Sequence, residues 1–129
     1  MAALQVKVEE LGDAGTFAEA LKRDRLQVIE LYTAWTGPTA AAKTAWRKLA
    51  VDMGGPLPCD LSTACLDRMQ GAPGGEPLAA FPLTSEPQWV LFKRGKQVAA
   101  VTGMDLPQLM KAVQRFSAET PAVARETEC

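Results

Sequence analysis

Histidine is absent from all 129 residues, and that gap removes the commonest general base and the commonest metal ligand together. Cysteine is scarce: Cys59, Cys65 and Cys129 are the three, none spaced as Cys-X-X-Cys, and their number is odd. Neither a disulfide framework nor a zinc cluster fits such a set, so no cofactor and no metal site is expected. Also missing is any run of about 18 apolar residues, which leaves no candidate membrane-spanning helix.

Excess positive charge is lacking too. Lys and Arg total 14 against 15 Asp and Glu, a formal net charge of −1. Lys22, Arg23 and Arg25 are interrupted by Asp24, which is the pattern of a solvated helix end and not of a nucleic-acid stripe. No nucleic-acid partner and no membrane partner is expected. Met1–Glu10 carries acidic residues and no apolar stretch of the signal-peptide kind, which predicts an intracellular protein. What is present is a chain 47% hydrophobic and 22% charged, with the length and composition of one globular domain whose core is flanked by two layers.

The alternation in Leu4–Val8 predicts a half-buried first strand. Thr16-Phe17-Ala18-Glu19 has capping-box spacing, so a helix is expected from Thr16 to Arg23, with Phe17, Ala20 and Leu21 on one face. Leu26–Tyr32 is nearly continuous apolar sequence and predicts a strand buried on both faces. It leads into Trp35-Thr36-Gly37-Pro38-Thr39, from which a helix is expected between Pro38 and Met53. Ala42, Trp46, Leu49 and Met53 form its apolar stripe, and Gly54-Gly55-Pro56 stops it.

Leu61–Leu66 is small and apolar enough for a central strand, and Cys65 within it reads as a core residue. Gln70–Gly75 is a glycine-rich loop, and Glu76–Phe81 has room for one short helix; this insertion offers a contact surface of the protein's own. Gln88–Lys93 and Lys96–Thr102 are expected to form a hairpin around Arg94-Gly95. Asp105 caps a last helix with Leu106, Leu109, Met110, Val113 and Phe116 on its buried stripe. The domain therefore spans 1–117, and 118–129 is expected to be a polar tail.

The order strand, Trp35-Thr36-Gly37-Pro38-Thr39, helix resembles the active-site element of the thioredoxin family. Pro87 before a strand, Phe92-Lys93-Arg94-Gly95-Lys96 in the hairpin and Gly103 before the last helix resemble that family in order and register over about residues 4–117. The resemblance implies an α/β thioredoxin fold, a central mixed β-sheet flanked by helices on both faces. It also implies that Thr36 and Thr39 stand at both cysteine positions. A Cys-X-X-Cys works because a helix N-terminus stabilises the attacking thiolate; a threonine hydroxyl cannot form the mixed disulfide, although Thr36 can cap the helix. The expectation is a protein that is not an enzyme, with Thr36, Thr39 and Glu30 as vestigial positions. Glu30 matches the buried acid that assists the second cysteine; the alternative is a carboxylate hydrogen-bonded near the helix start or paired with a lysine. Asp67 resembles the acid that follows the third strand.

By the same resemblance, Pro87 is expected to follow a cis peptide bond. That leaves the backbone of Glu86 open to an extended peptide, in a groove formed by Trp35, Gly37, Pro38, Glu86, Pro87 and Gly103. Ser85-Glu86-Pro87 and Thr102–Leu109 resemble one branch, the thioredoxin-like light chains of axonemal outer-arm dynein and the thioredoxin modules joined to nucleoside diphosphate kinase-like domains. That branch implies a redox-inactive, protein-binding subunit of a cytoplasmic assembly in the cilium or flagellum axoneme. Its implied partner is a dynein heavy chain or another axonemal subunit. The competing reading is a thiol-exchange protein that uses Cys129.

Overall fold

The computed structural model describes residues 6–40 and 42–117. Four residues, Val8–Leu11, form β1, followed by helix α1 over Ala14–Leu21 and strand β2 over Leu26–Tyr32. Helix α2 covers Ala42–Asp52, strand β3 Cys59–Cys65, and the short helix α3 Leu66–Met69. A 3-10 turn at Glu76–Leu78 leads to the hairpin of β4, Gln88–Lys93, and β5, Lys96–Thr102, before helix α4 at Leu106–Ser117.

The strands lie in the order β1-β3-β2-β4-β5. β3 is parallel to β1 and β2, whereas β4 is antiparallel to β2 and β5. This is the mixed sheet that the resemblance implies. β2 is central and flanked on both sides, and Leu26–Leu31 is buried throughout, because a strand covered on both faces cannot leave one face to water.

Alternation divides the core in two. Ile29 and Leu31 join Phe17, Leu21, Leu66, Met69, Val90 and Phe92 on the face covered by α1 and α3. Leu26 and Val28 join Trp46, Leu49, Leu61, Trp89, Leu109 and Val113 on the face covered by α2 and α4. Edge-on aromatic pairs fix each layer, with Phe17 against Phe92 at 6.1 Å between centroids and Trp46 against Trp89 at 5.4 Å.

Four element starts differ from the sequence reading; one is β3, which begins at Cys59 and not at Leu61 and leaves Leu66 to α3. β1 begins at Val8, and Leu4 lies outside the described residues. An edge strand tolerates the charges of Glu9 and Glu10, which the alternation rule counted against it. Helix α1 starts at Ala14, with Asp13 as its cap: Thr16 N donates to Asp13 Oδ1 at 2.7 Å. The carboxylate takes the site assigned to the Thr16 hydroxyl, and this bond holds Asp13 below its ordinary pKa. Helix α2 is Ala42–Asp52 and Pro38–Ala40 are not helical; the N–H groups of Thr36 and Gly37 go to Thr33 O and that of Thr39 to Glu30.

The hairpin matches the sequence reading in both strands. Arg94 and Gly95 have φ of 53° and 83°, the left-handed pair of a two-residue turn matched to sheet twist. Asp105 caps α4 through Gln108 N at 3.2 Å. The tail beyond Ser117 lies outside the described residues.

Candidate functional site

Strand register brings the candidate residues to one end of the sheet. Tyr32 pairs with Cys65, Leu31 with Gln88, and Gln88 with Thr102. The loops after β2 and β5, α3 after β3, and the segment before β4 therefore emerge side by side. Thr33 Oγ1 donates to Thr84 O at 3.4 Å, and Gly103 N donates to Pro87 O at 2.7 Å. Trp89 Nε1 closes the same end on Gly103 O at 2.9 Å.

The turn after β2 is tied internally. Thr36 N and Gly37 N both donate to Thr33 O, at 3.1 and 2.9 Å. Thr36 Oγ1 lies 2.9 Å from Thr33 Oγ1 and 3.2 Å from Thr33 O. Thr36 is thus a turn residue and does not cap α2, which starts six positions later. Ala34 N donates to Asp67 Oδ1 at 3.0 Å, and the Cys65 thiol donates to the same oxygen at 3.1 Å. Those two donors, the thiol foremost, hold Asp67 below the usual carboxylate range. Burial, followed by the bond to Asp67, pushes the Cys65 thiol up.

Glu30 is buried, 1% exposed, and its Oε2 accepts from Thr39 N at 2.9 Å. The carboxylate is thus hydrogen-bonded ahead of α2, and no lysine pairs with it among the described residues. Burial raises its pKa, and the bonds from Thr39 oppose the shift in part. A cavity of about 270 Å³ opens beside it, lined in part by Glu10, Pro38, Thr39, Lys43, Thr63 and Trp46. Tyr32 donates its hydroxyl to Glu10 Oε2 at 3.3 Å. A larger groove of about 720 Å³ lies at the other end of β1 and β3, around Val6, Lys7, Arg23, Pro56 and Leu57.

Trp35 is 63% exposed, and Leu83 and Met104 at 46% and 38% are the large apolar residues exposed in the neighbouring loops. The sequence reading named Trp35 but passed over Leu83 and Met104; their position next to Pro82 and Gly103 was the available signal. Two expectations at Pro87 are corrected. No cis peptide bond occurs among the described residues, so the bond before Pro87 is trans, the form favoured by about 0.5–1 kcal/mol in an X-Pro bond. Nor is the Glu86 backbone open: its N–H donates to Thr84 Oγ1 at 3.1 Å, and the same hydroxyl donates to Glu86 O at 3.2 Å. Thr84 satisfies the groups that a bound peptide would need.

Chemically, this end offers apolar contact and hydrogen bonding. Cys59 and Cys65 are buried, and burial pushes Cys59 up to about 12. No group of three or more His, Cys, Asp and Glu suited to a metal ion occurs among the described residues. No helix among them is long and apolar enough to cross a membrane.

No family model matches the chain. Over 120 residues it is 29% identical to the 14 kDa light chain of flagellar outer-arm dynein from Chlamydomonas reinhardtii, covering 93% of this chain and 81% of that one. It is 27% identical to thioredoxin domain-containing protein 6 of Xenopus laevis over 119 residues, 92% of this chain but only 18% of that protein. Among solved structures, thioredoxin from Malassezia sympodialis superposes with a TM-score of 0.66 at 21% identity, covering 92% of this chain and 97% of the other.

Proposed function

We propose, from the thioredoxin fold of this chain and its likeness to a dynein light chain, that it is a redox-inactive protein-binding subunit. Its work is structural or assembly-related, within a larger complex such as an axonemal dynein or a neighbouring axonemal assembly. The observation that carries this reading is the character of one end of the sheet: Trp35, Leu83 and Met104 are exposed there, while Thr36 and Thr39 have hydroxyls where exchange chemistry needs sulfur. Trp35, Gly37, Pro38, Pro87 and Gly103 form the proposed docking end, with the Glu86 side chain at its border. The partner is a protein chain, a dynein heavy chain or another axonemal subunit, which puts the protein in the cilium or flagellum.

Docking here uses side chains. The Glu86 backbone is already bonded to Thr84, so a partner packs on Trp35 and its apolar neighbours and does not add a strand at Pro87. The two described thiols, Cys59 and Cys65, are buried, and the competing thiol-exchange reading rests on Cys129, which lies outside the described residues.

Affinity capture from ciliated cells, with the wild-type chain and Trp35→Ala compared, tests the reading. The expected result is a stable axonemal partner held by the first and lost by the second. Reduction of insulin by the unaltered chain in the presence of a thioredoxin reductase would overturn the redox-inactive part. A partner retained equally by both chains would move the docking surface elsewhere.

A further inference from the structure

The two edges of the sheet are unlike. β1 is four residues long and contains Glu9 and Glu10. At the other edge β5 is seven residues long, and Gln97–Met104 contains no charge and no proline. Proteins blunt open edges with short strands, charges, proline or bulges. β1 has the first two devices; β5 has one charge, Lys96 at its hairpin end, and a register shift where Leu91 pairs with Ala99 and Phe92 with Gln97, which leaves Val98 as the extra residue.

One hydrogen bond fixes which way the β5 backbone faces. Gly103 N donates to Pro87 O at 2.7 Å, so by alternation Gly103, Val101 and Ala99 face β4, and Thr102 and Ala100 face outward. Ala100 and Thr102 are exposed, and no strand pairs beyond them among the described residues.

We propose that the β5 edge pairs antiparallel with β5 of a second copy of this chain, about a two-fold axis at Ala100, joining two five-stranded sheets into one. An axis perpendicular to the sheet keeps each face continuous only when paired residue numbers have an even sum, and the bonded residues must be those facing outward. Centring on Ala100 meets both conditions over Ala99–Val101: Ala100 lies opposite its own copy and Val101 opposite Ala99, with no like charges opposed, and the ladder stops at the bulged Val98, which packs with Ala99 and Val101. The alternative axis at Thr102 runs the pairing into Gly103 and the start of α4.

Charge selects the second copy over an unrelated strand. Arg94 and Lys96 lie at one end of β5; Asp105 and Glu86 lie at the other, where Glu86 Oε2 is 4.0 Å from the position that a Cβ on Gly103 would take. None of these four forms an ion pair within the chain among the described residues. Antiparallel pairing sets the cationic end of each copy against the acidic end of the other, twice per dimer. This surface is distinct from Trp35, and the inference stands whether or not the proposed partner binding holds.

Sedimentation equilibrium of the full chain tests it. A reversible dimer is expected that weakens as salt rises. Ala100→Pro removes an outward N–H without touching the β4 pairing, and should weaken association about tenfold or more while the melting curve stays unchanged. Should that variant melt early, Arg94→Glu with Lys96→Glu provides the same loss of association without a backbone change. Ala100→Cys in a Cys129→Ser background should oxidise to a covalent dimer well ahead of a Lys111→Cys control, since bonded antiparallel partners lie about 5.5 Å apart at Cα. A chain monomeric at every concentration, or a dimer indifferent to both sets of substitutions, would overturn the proposal.

Discussion

At the scale of single residues, two groups carry testable electrostatics. Glu30 has its pKa raised by burial, so between the unfolded and folded values the folded chain binds more protons. Stability from this group therefore falls as pH rises through its folded pKa, and is regained on acidification. Glu30→Gln keeps an acceptor for Thr39 N and removes the buried charge. It is expected to raise the melting temperature at neutral pH, by a margin that shrinks as the pH is lowered. An equal effect at pH 4 and pH 8 would refute the burial argument. The thiols make a second case: Cys59, pushed up to about 12, and Cys65, also raised, exist as protonated, buried thiols at neutral pH. In a Cys129→Ser background, a thiol-specific dye should label neither before denaturation and both after it.

At the scale of elements, what the sequence discloses depends on how local the cause is. The β4–β5 hairpin was legible because Arg94-Gly95 dictates its own turn. α4 was legible because Asp105 and a stripe of five apolar residues coincide. β1 and the start of α2 were not, because distant groups decide them. Glu9 and Glu10 enter a strand through pairing with Ser62 and Thr63, and Thr39 N is claimed by Glu30 from a different element. In the candidate site, Trp35, Pro38, Pro87 and Gly103 were legible from motif spacing. Thr84 was not, because its role arises only where its hydroxyl closes on Glu86.

That late start of α2 has a chemical price for any attempt to restore activity. Thr36→Cys with Thr39→Cys would put back the sulfur pair that the resemblance implies is missing. In the structure the first of those positions lies in the turn bonded to Thr33 O, ahead of the Ala42 N–Thr39 O bond at the start of α2, and a helix dipole fades within about one turn. The acidity of the first thiol is expected to stay near the ordinary value of about 8.5, readable from the pH dependence of alkylation, and insulin reduction is expected to be slow. A strongly acidic thiol would refute that placement. The insertion yields a further test. A Cβ on Gly75 would sit 2.0 Å from Met69 O, so Gly75→Ala must displace backbone and should destabilise the chain by roughly 1–3 kcal/mol in denaturant titration.

At the scale of the whole molecule, the core and the proposed docking end separate cleanly in energy. Trp46, 3% exposed, packs on Trp89, and Trp46→Ala is expected to cost about 3–5 kcal/mol. Trp35→Ala should change stability by no more than about 0.5 kcal/mol while abolishing partner capture. Equal losses from both would mean that Trp35 supports the fold and not an interface.

The same three indoles also make the protein its own optical gauge. Trp46 and Trp89 are screened from water, with the Trp89 ring nitrogen bound to Gly103 O, and should emit toward the blue. Trp35 stands in solvent and should dominate the red side, where iodide can quench it. Contact at that end would shift and shield the red component alone, so an unlabelled titration watched at two wavelengths distinguishes docking from unfolding, which moves both.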